Sequence, residues 1–125
     1  MVALLSGWYL LKTDYEFTKY KLPGCNQTFT LVEYSAIYNR GAAIVAGNYD
    51  TQKIPINNCV KVPKESGFDA YYEFIVTCEK EYIIINLNNY VPELMRNSNN
   101  IIVRKLDGEK YQDMRDHGIG ILALV

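Results

Sequence analysis

The feature that most constrains this chain is a succession of short runs rich in β-branched and aromatic residues, each closed by a polar or glycine-containing break. The clearest is Ala70-Tyr71-Tyr72-Glu73-Phe74-Ile75-Val76-Thr77-Cys78. It is answered, after Glu79-Lys80, by Glu81-Tyr82-Ile83-Ile84-Ile85-Asn86-Leu87. Such side chains fit a pleated, half-buried surface, and two such runs around a tight polar turn predict a hairpin. Similar patterns predict strands over residues 8–13, from Thr28 to Tyr34, over 42–49, over 54–62 and over Ile101–Leu106. Pro55 marks the 54–62 run as an edge or irregular strand. Residues 109–117 form the one good helix candidate, with Tyr111 and Met114 three apart on one face and Gly118 placed to cap its end. The apolar stretch 119–125 is a candidate final strand.

Seven or eight strands spaced roughly 8–12 residues apart, mostly hairpin-connected, suggest an all-β sandwich or barrel. The expectation taken forward is an eight-stranded up-and-down antiparallel β-barrel with one C-terminal α-helix packed outside. Closure of that kind removes exposed strand edges and encloses about one small ligand.

A chain of 125 residues is expected to form a single domain with one ordinary core. A net charge of −1 carries no basic footprint for nucleic acid. No apolar run approaches the roughly 18 residues needed to span a bilayer. Met1-Val2-Ala3-Leu4-Leu5 is too short for a signal-peptide core and lacks a positive start, which leaves either a cytosolic protein or a mature chain with an added Met. Aromatic content is led by 11 Tyr against 4 Phe and 1 Trp, which suits pocket walls of mixed polarity. The three cysteines, Cys25, Cys59 and Cys78, lack a C-x-x-C spacing, and with one histidine a zinc site is not expected. Asn26-Gln27-Thr28 is an N-glycosylation sequon beside Cys25.

The only tryptophan lies in Ser6-Gly7-Trp8-Tyr9, and a late strand-like run ends in Arg104. An indole face and a guanidinium plane can stack, so Trp8 and Arg104 are read as a pair closing a barrel floor. These stretches resemble the lipocalins, whose first strand opens on a Gly-x-Trp motif and whose last barrel strand carries an arginine over that tryptophan. The arthropod type, bilin-binding and triabin-like, is the nearest in character. The resemblance implies a non-catalytic extracellular carrier that holds a small hydrophobic ligand (a bilin, another pigment, a lipid or an amine). The other reading is a protein-binding barrel acting as a secreted salivary or venom-type inhibitor, as monomer or homodimer.

In a barrel, one strand parity lines the interior. The expected ligand wall is Tyr34, Tyr72, Phe74, Ile83, Ile85 and Ile102, with Glu33 or Glu73 as polar groups. Cys59 and Cys78 would either bridge two barrel walls or remain free thiols, with Cys25 left over. His117 at the helix end lacks a nucleophile context, and Asp14, Glu16, Glu33 and Glu73 show no acid–base spacing. An enzyme would require convergent groups such as Glu73 with Tyr82. No metal or cofactor is expected beyond the bound hydrophobe.

Overall fold

The computed structural model of the protein describes residues 14–36, 39–50, 58–62, 73–93 and 95–125. The strands are β1 (Asp14–Lys21), β2 (Thr28–Ala36), β3 (Asn39–Ala46), β4 (Cys59–Val62), β5 (Glu73–Glu79), β6 (Tyr82–Asn88), β7 (Ile101–Leu106) and β8 (Ile121–Leu124). One helix, α1 (Gly108–Asp116), precedes β8. They form two four-stranded sheets, ordered β1-β2-β3-β4 and β7-β6-β5-β8.

The expected barrel is therefore corrected: neither sheet closes. The cause lies after β6. Residues 89–100 carry the chain back along the sheet, so β7 enters parallel to β6, with Ile83 opposite Ile101 and Ile85 opposite Val103. A parallel step needs a connection of about a dozen residues or more, whereas an up-and-down barrel requires every neighbour to be antiparallel. The returning segment is held by its own polar side chains. Asn97 Oδ1 accepts from the Val103 amide at 2.7 Å, and Ser98 Oγ accepts from the Cys59 amide at 3.1 Å. Asn100 Nδ2 donates to Asn58 Oδ1 at 3.0 Å. The asparagine-rich stretch thus ties β4 of one sheet to the β6–β7 crossover of the other.

Both sheets turn one face into a shared apolar core. Phe29, Leu31, Ala42, Ile44, Val60 and Val62 meet Phe74, Val76, Ile83, Ile85, Ile101 and Ala123. Alternation follows from the two-residue period of a strand. Val60 and Val62 face this core, which turns Cys59 and Lys61 to the opposite side of β4. On β5 the core parity belongs to Phe74, Val76 and Cys78.

That parity decides the disulfide. The bond joins Cys25 to Cys78, across 53 residues, and Cys59 is free. The expected Cys59–Cys78 bridge is corrected: Cys59 lies on the face of β4 that points away from Cys78. Cys25, in the turn after Leu22-Pro23-Gly24, packs against the shared core and meets Cys78 there. Strand β1, rich in charge, was not among the expected strands; its side chains alternate between exposed and half-buried along most of its length. Among the described residues it is the edge of its sheet, and charge on an edge discourages pairing with other chains.

Helix α1 lies on the outer face of the second sheet, where Tyr111 and Met114 pack on Ile75 and Leu106. Asp107 caps it, its carboxylate accepting from the Lys110 amide at 2.7 Å. At the other end the Gly118 amide donates to Arg115 O and the Ile119 amide to Met114 O, a Schellman closure with Gly118 at φ +64°. The helix and its glycine stop are as the sequence predicts.

Two residues later Gly120 has φ +75°, and a Cβ there would lie 2.6 Å from the Val76 carbonyl oxygen. The close approach seats β8 against β5. Gly120→Ala should lower stability by about 1–3 kcal/mol from backbone strain alone, with the clash adding to it. A lowered urea midpoint at unchanged slope is the expected observation.

Candidate functional site

Three of the residues expected to line a ligand cavity, Phe74, Ile83 and Ile85, are fully buried in the core between the sheets. They are packing residues, in contact with the facing sheet. Tyr34 lies on the other face of β2, sharing parity with Val32. Its ring crosses Gly41 on the neighbouring strand and sits 6.2 Å from Tyr15. Ile102 is likewise outside the shared core, on the face of β7 opposite Ile101 and Val103. Tyr72 lies outside the described residues. Of the five described wall residues, Phe74, Ile83 and Ile85 share the core, while Tyr34 and Ile102 lie on the outer faces of their strands.

Arg104 shares the outer face with Ile102, but its partner is Asn86. Its Nε and Nη2 donate to Asn86 Oδ1 at 2.9 and 2.7 Å. Asn86 is fully buried, and its Nδ2 donates to Ile75 O at 2.8 Å and Thr77 Oγ1 at 2.9 Å. Trp8, the other half of the expected floor pair, lies outside the described residues.

Titratable groups do not assemble a reaction centre among the described residues. Glu73 is held by Arg115, Oε1 at 3.0 Å from Nη1. Tyr111, buried beneath the helix, has its pKa pushed up to about 12, first by burial and then by the Glu73 carboxylate. His117 Nδ1 lies 2.8 Å from Asp113 O; this hydrogen bond, with the Asp113 carboxylate second, raises its pKa. A protonated imidazole at this position suits the negative end of the helix dipole. Glu16 stands opposite Glu33 across β1 and β2, and Asp14 opposite Ser35. No group of three or more His, Cys, Asp or Glu side chains is arranged to hold a metal among the described residues. No helix among them is long and apolar enough to cross a membrane.

What stands out is strand β8. It ends its sheet among the described residues. Leu122 and Leu124 share a face, and they remain 46% and 62% exposed, with Ile119 just before them also exposed. Helix α1 covers Ile75 on the adjacent strand but leaves this edge open. The buried positions of β8 and its end are Ala123 and Val125. Ile121 shares the inward parity and packs on the shared core, while Leu122 and Leu124 point outward. Residues 119–125 read only as an apolar strand, because sequence hydrophobicity does not reveal which parity is covered.

No protein-family model, no curated protein and no solved structure matches the chain. The lipocalin resemblance accordingly stands on its own motifs, of which Ser6-Gly7-Trp8-Tyr9 lies outside the described residues and Arg104 is bound to Asn86.

Proposed function

We propose that this chain is a non-catalytic, protein-binding β-sandwich module of an oxidising, extracytosolic compartment, and that β8 is its recognition edge. The observation that carries the reading is the pairing of outward-facing Leu122 and Leu124 with an edge strand. An edge strand offers unpaired backbone N–H and C=O groups to an added strand, and flanking side chains supply selectivity. The partner it fits is a protein that presents an extended segment with apolar side chains at alternate positions. Exposed apolar clusters on small proteins commonly mark such contacts. The Cys25–Cys78 disulfide is compatible with a compartment where such bonds persist. The carrier reading loses support because its nominated wall residues Phe74, Ile83 and Ile85 are core packing.

The test is an array of extended peptides with alternating apolar positions, probed with wild-type chain and with the double variant Leu122→Glu/Leu124→Glu. Both substitutions fall on exposed positions, so the fold should survive. Binding by wild type that drops at least tenfold in the variant is expected. Equal binding by both, or by neither, overturns the assignment of β8. Native mass spectrometry of protein from its own source provides the second arm. A small hydrophobe carried in stoichiometric amount would restore the carrier reading.

A further inference from the structure

We infer that Asn26 is an N-glycosylation site, modified before the neighbouring disulfide closes. The inference rests on the extracytosolic part of the reading above and is independent of β8. Asn26-Gln27-Thr28 meets the acceptor requirement by sequence. A triplet of this kind has meaning only if the asparagine is reachable in a chain that enters the right compartment, and two separate observations bear on that. Asn26 is exposed in the β1–β2 turn. The residue before it, Cys25, is in a disulfide.

The fold also dictates when the transfer can occur. In the finished protein the turn is fastened on both sides of Asn26. Cys25 is bonded to Cys78, and Gln27 Nε2 donates to Glu81 O at 3.1 Å. The Leu22 amide donates to Gln27 O at 2.9 Å, and Thr28 pairs with Lys21 as the first residue of β2. Transfer needs the hydroxyl of Thr28 to swing toward the Asn26 amide in a local side-chain turn, which the ladder at Thr28 opposes. The acceptor is therefore the chain before folding. Cys78 follows Cys25 by 53 residues, and at about 5–20 residues per second of synthesis the sequon is free for several seconds before its bridge can form.

The step balances without a redox change. Asn26 Nδ2 forms a bond to the anomeric carbon of a polyprenyl-diphosphate-linked oligosaccharide. The carbon–oxygen bond to the diphosphate breaks, the lipid diphosphate leaves with the electron pair, and one Nδ2 proton passes to a base. The glycan would then stand over the open groove of about 480 Å³ lined by Lys21, Leu22, Pro23, Gly24, Cys25 and Asn26. It would shield the end of the molecule where this turn meets the Lys80-Glu81 hairpin.

The experiment expresses the full chain through a eukaryotic secretory pathway and treats the product with peptide N-glycosidase. The expected result is a slower species in wild type that collapses on treatment, converts Asn26 to Asp, and is lost completely in Asn26→Gln and Thr28→Ala. Wild type that co-migrates with Asn26→Gln overturns the site. Pulse-labelling on non-reducing gels should show glycan before the Cys25–Cys78 bond, and the Cys78→Ser variant should keep full occupancy. Loss of occupancy in Cys78→Ser overturns the order. Secreted protein that has the disulfide but no glycan sinks this site alone. Secreted protein with neither sinks the extracytosolic reading itself.

Discussion

Replacing Cys25 and Cys78 together by serine should lower the free energy of unfolding by about 2–5 kcal/mol, the range for a native bridge in a small domain. The chain-entropy estimate for a closed loop of this separation, 53 residues, is about 4 kcal/mol. For a domain whose total stability is of order 5–15 kcal/mol, that is a large fraction. The effect also has a structural direction. The bond is anchored on one sheet's β1–β2 turn and on β5 of the other, so its loss loosens the contact between sheets. Urea unfolding of wild type with and without reductant should show the same downward shift, and the double variant should be indifferent to reductant. Cys59→Ser should change stability little, since Cys59 is unbridged. A reductant-sensitive Cys25→Ser variant, or a collapse in Cys59→Ser, would mean that the bridge runs from Cys59.

The pairing of the cysteines shows where sequence reading stops and why. On β4, Val60 and Val62 are the apolar parity, so Cys59 belongs with Lys61 on the other face. That much was available from alternation alone. What alternation does not reveal is that the turn at Cys25 would be brought against β5, because this contact depends on how two sheets stack. The same division holds for the strands. β7 and the helix were legible because their signals are local: a β-branched run, a two-residue apolar face, a glycine stop. The parallel entry of β7 was not, since it is decided by the course of residues 89–100 and the bonds made by Asn97, Ser98 and Asn100. The barrel expectation failed at that point. It carried the ligand wall with it, because Ile102 shares the outer face of β7 with Arg104. Arg104 faces Asn86, which places Ile101 and Val103 inward. Strand β8 was half legible: the apolar stretch was seen, but the exposure of Leu122 and Leu124 depends on where helix α1 ends its cover.

Asn86→Leu should cost about 2–4 kcal/mol, although it exchanges a polar side chain for an apolar one of similar size at a fully buried position. Where both partners of a buried polar pair are replaced together, such an exchange can be nearly neutral. Here Asn86 satisfies four groups with one carboxamide: Ile75 O, Thr77 Oγ1, and the Nε and Nη2 of Arg104. Removing it leaves a guanidinium and a buried carbonyl short of partners, and the desolvation of such groups is what makes one-sided deletions expensive. The half-buried position of Arg104 moderates the cost, since water can reach part of it. Arg104→Leu alone strands only the Asn86 oxygen and should cost about 1–2 kcal/mol. The double variant should be more stable than the sum of the singles implies, with a coupling of about 1–3 kcal/mol, because both ends of the interaction are gone. Strict additivity in the double-mutant cycle would mean that Arg104 is an ordinary surface cation. Coupling would establish it as the residue that fixes β7 beside β6, and so the parallel register that separates this fold from a closed barrel.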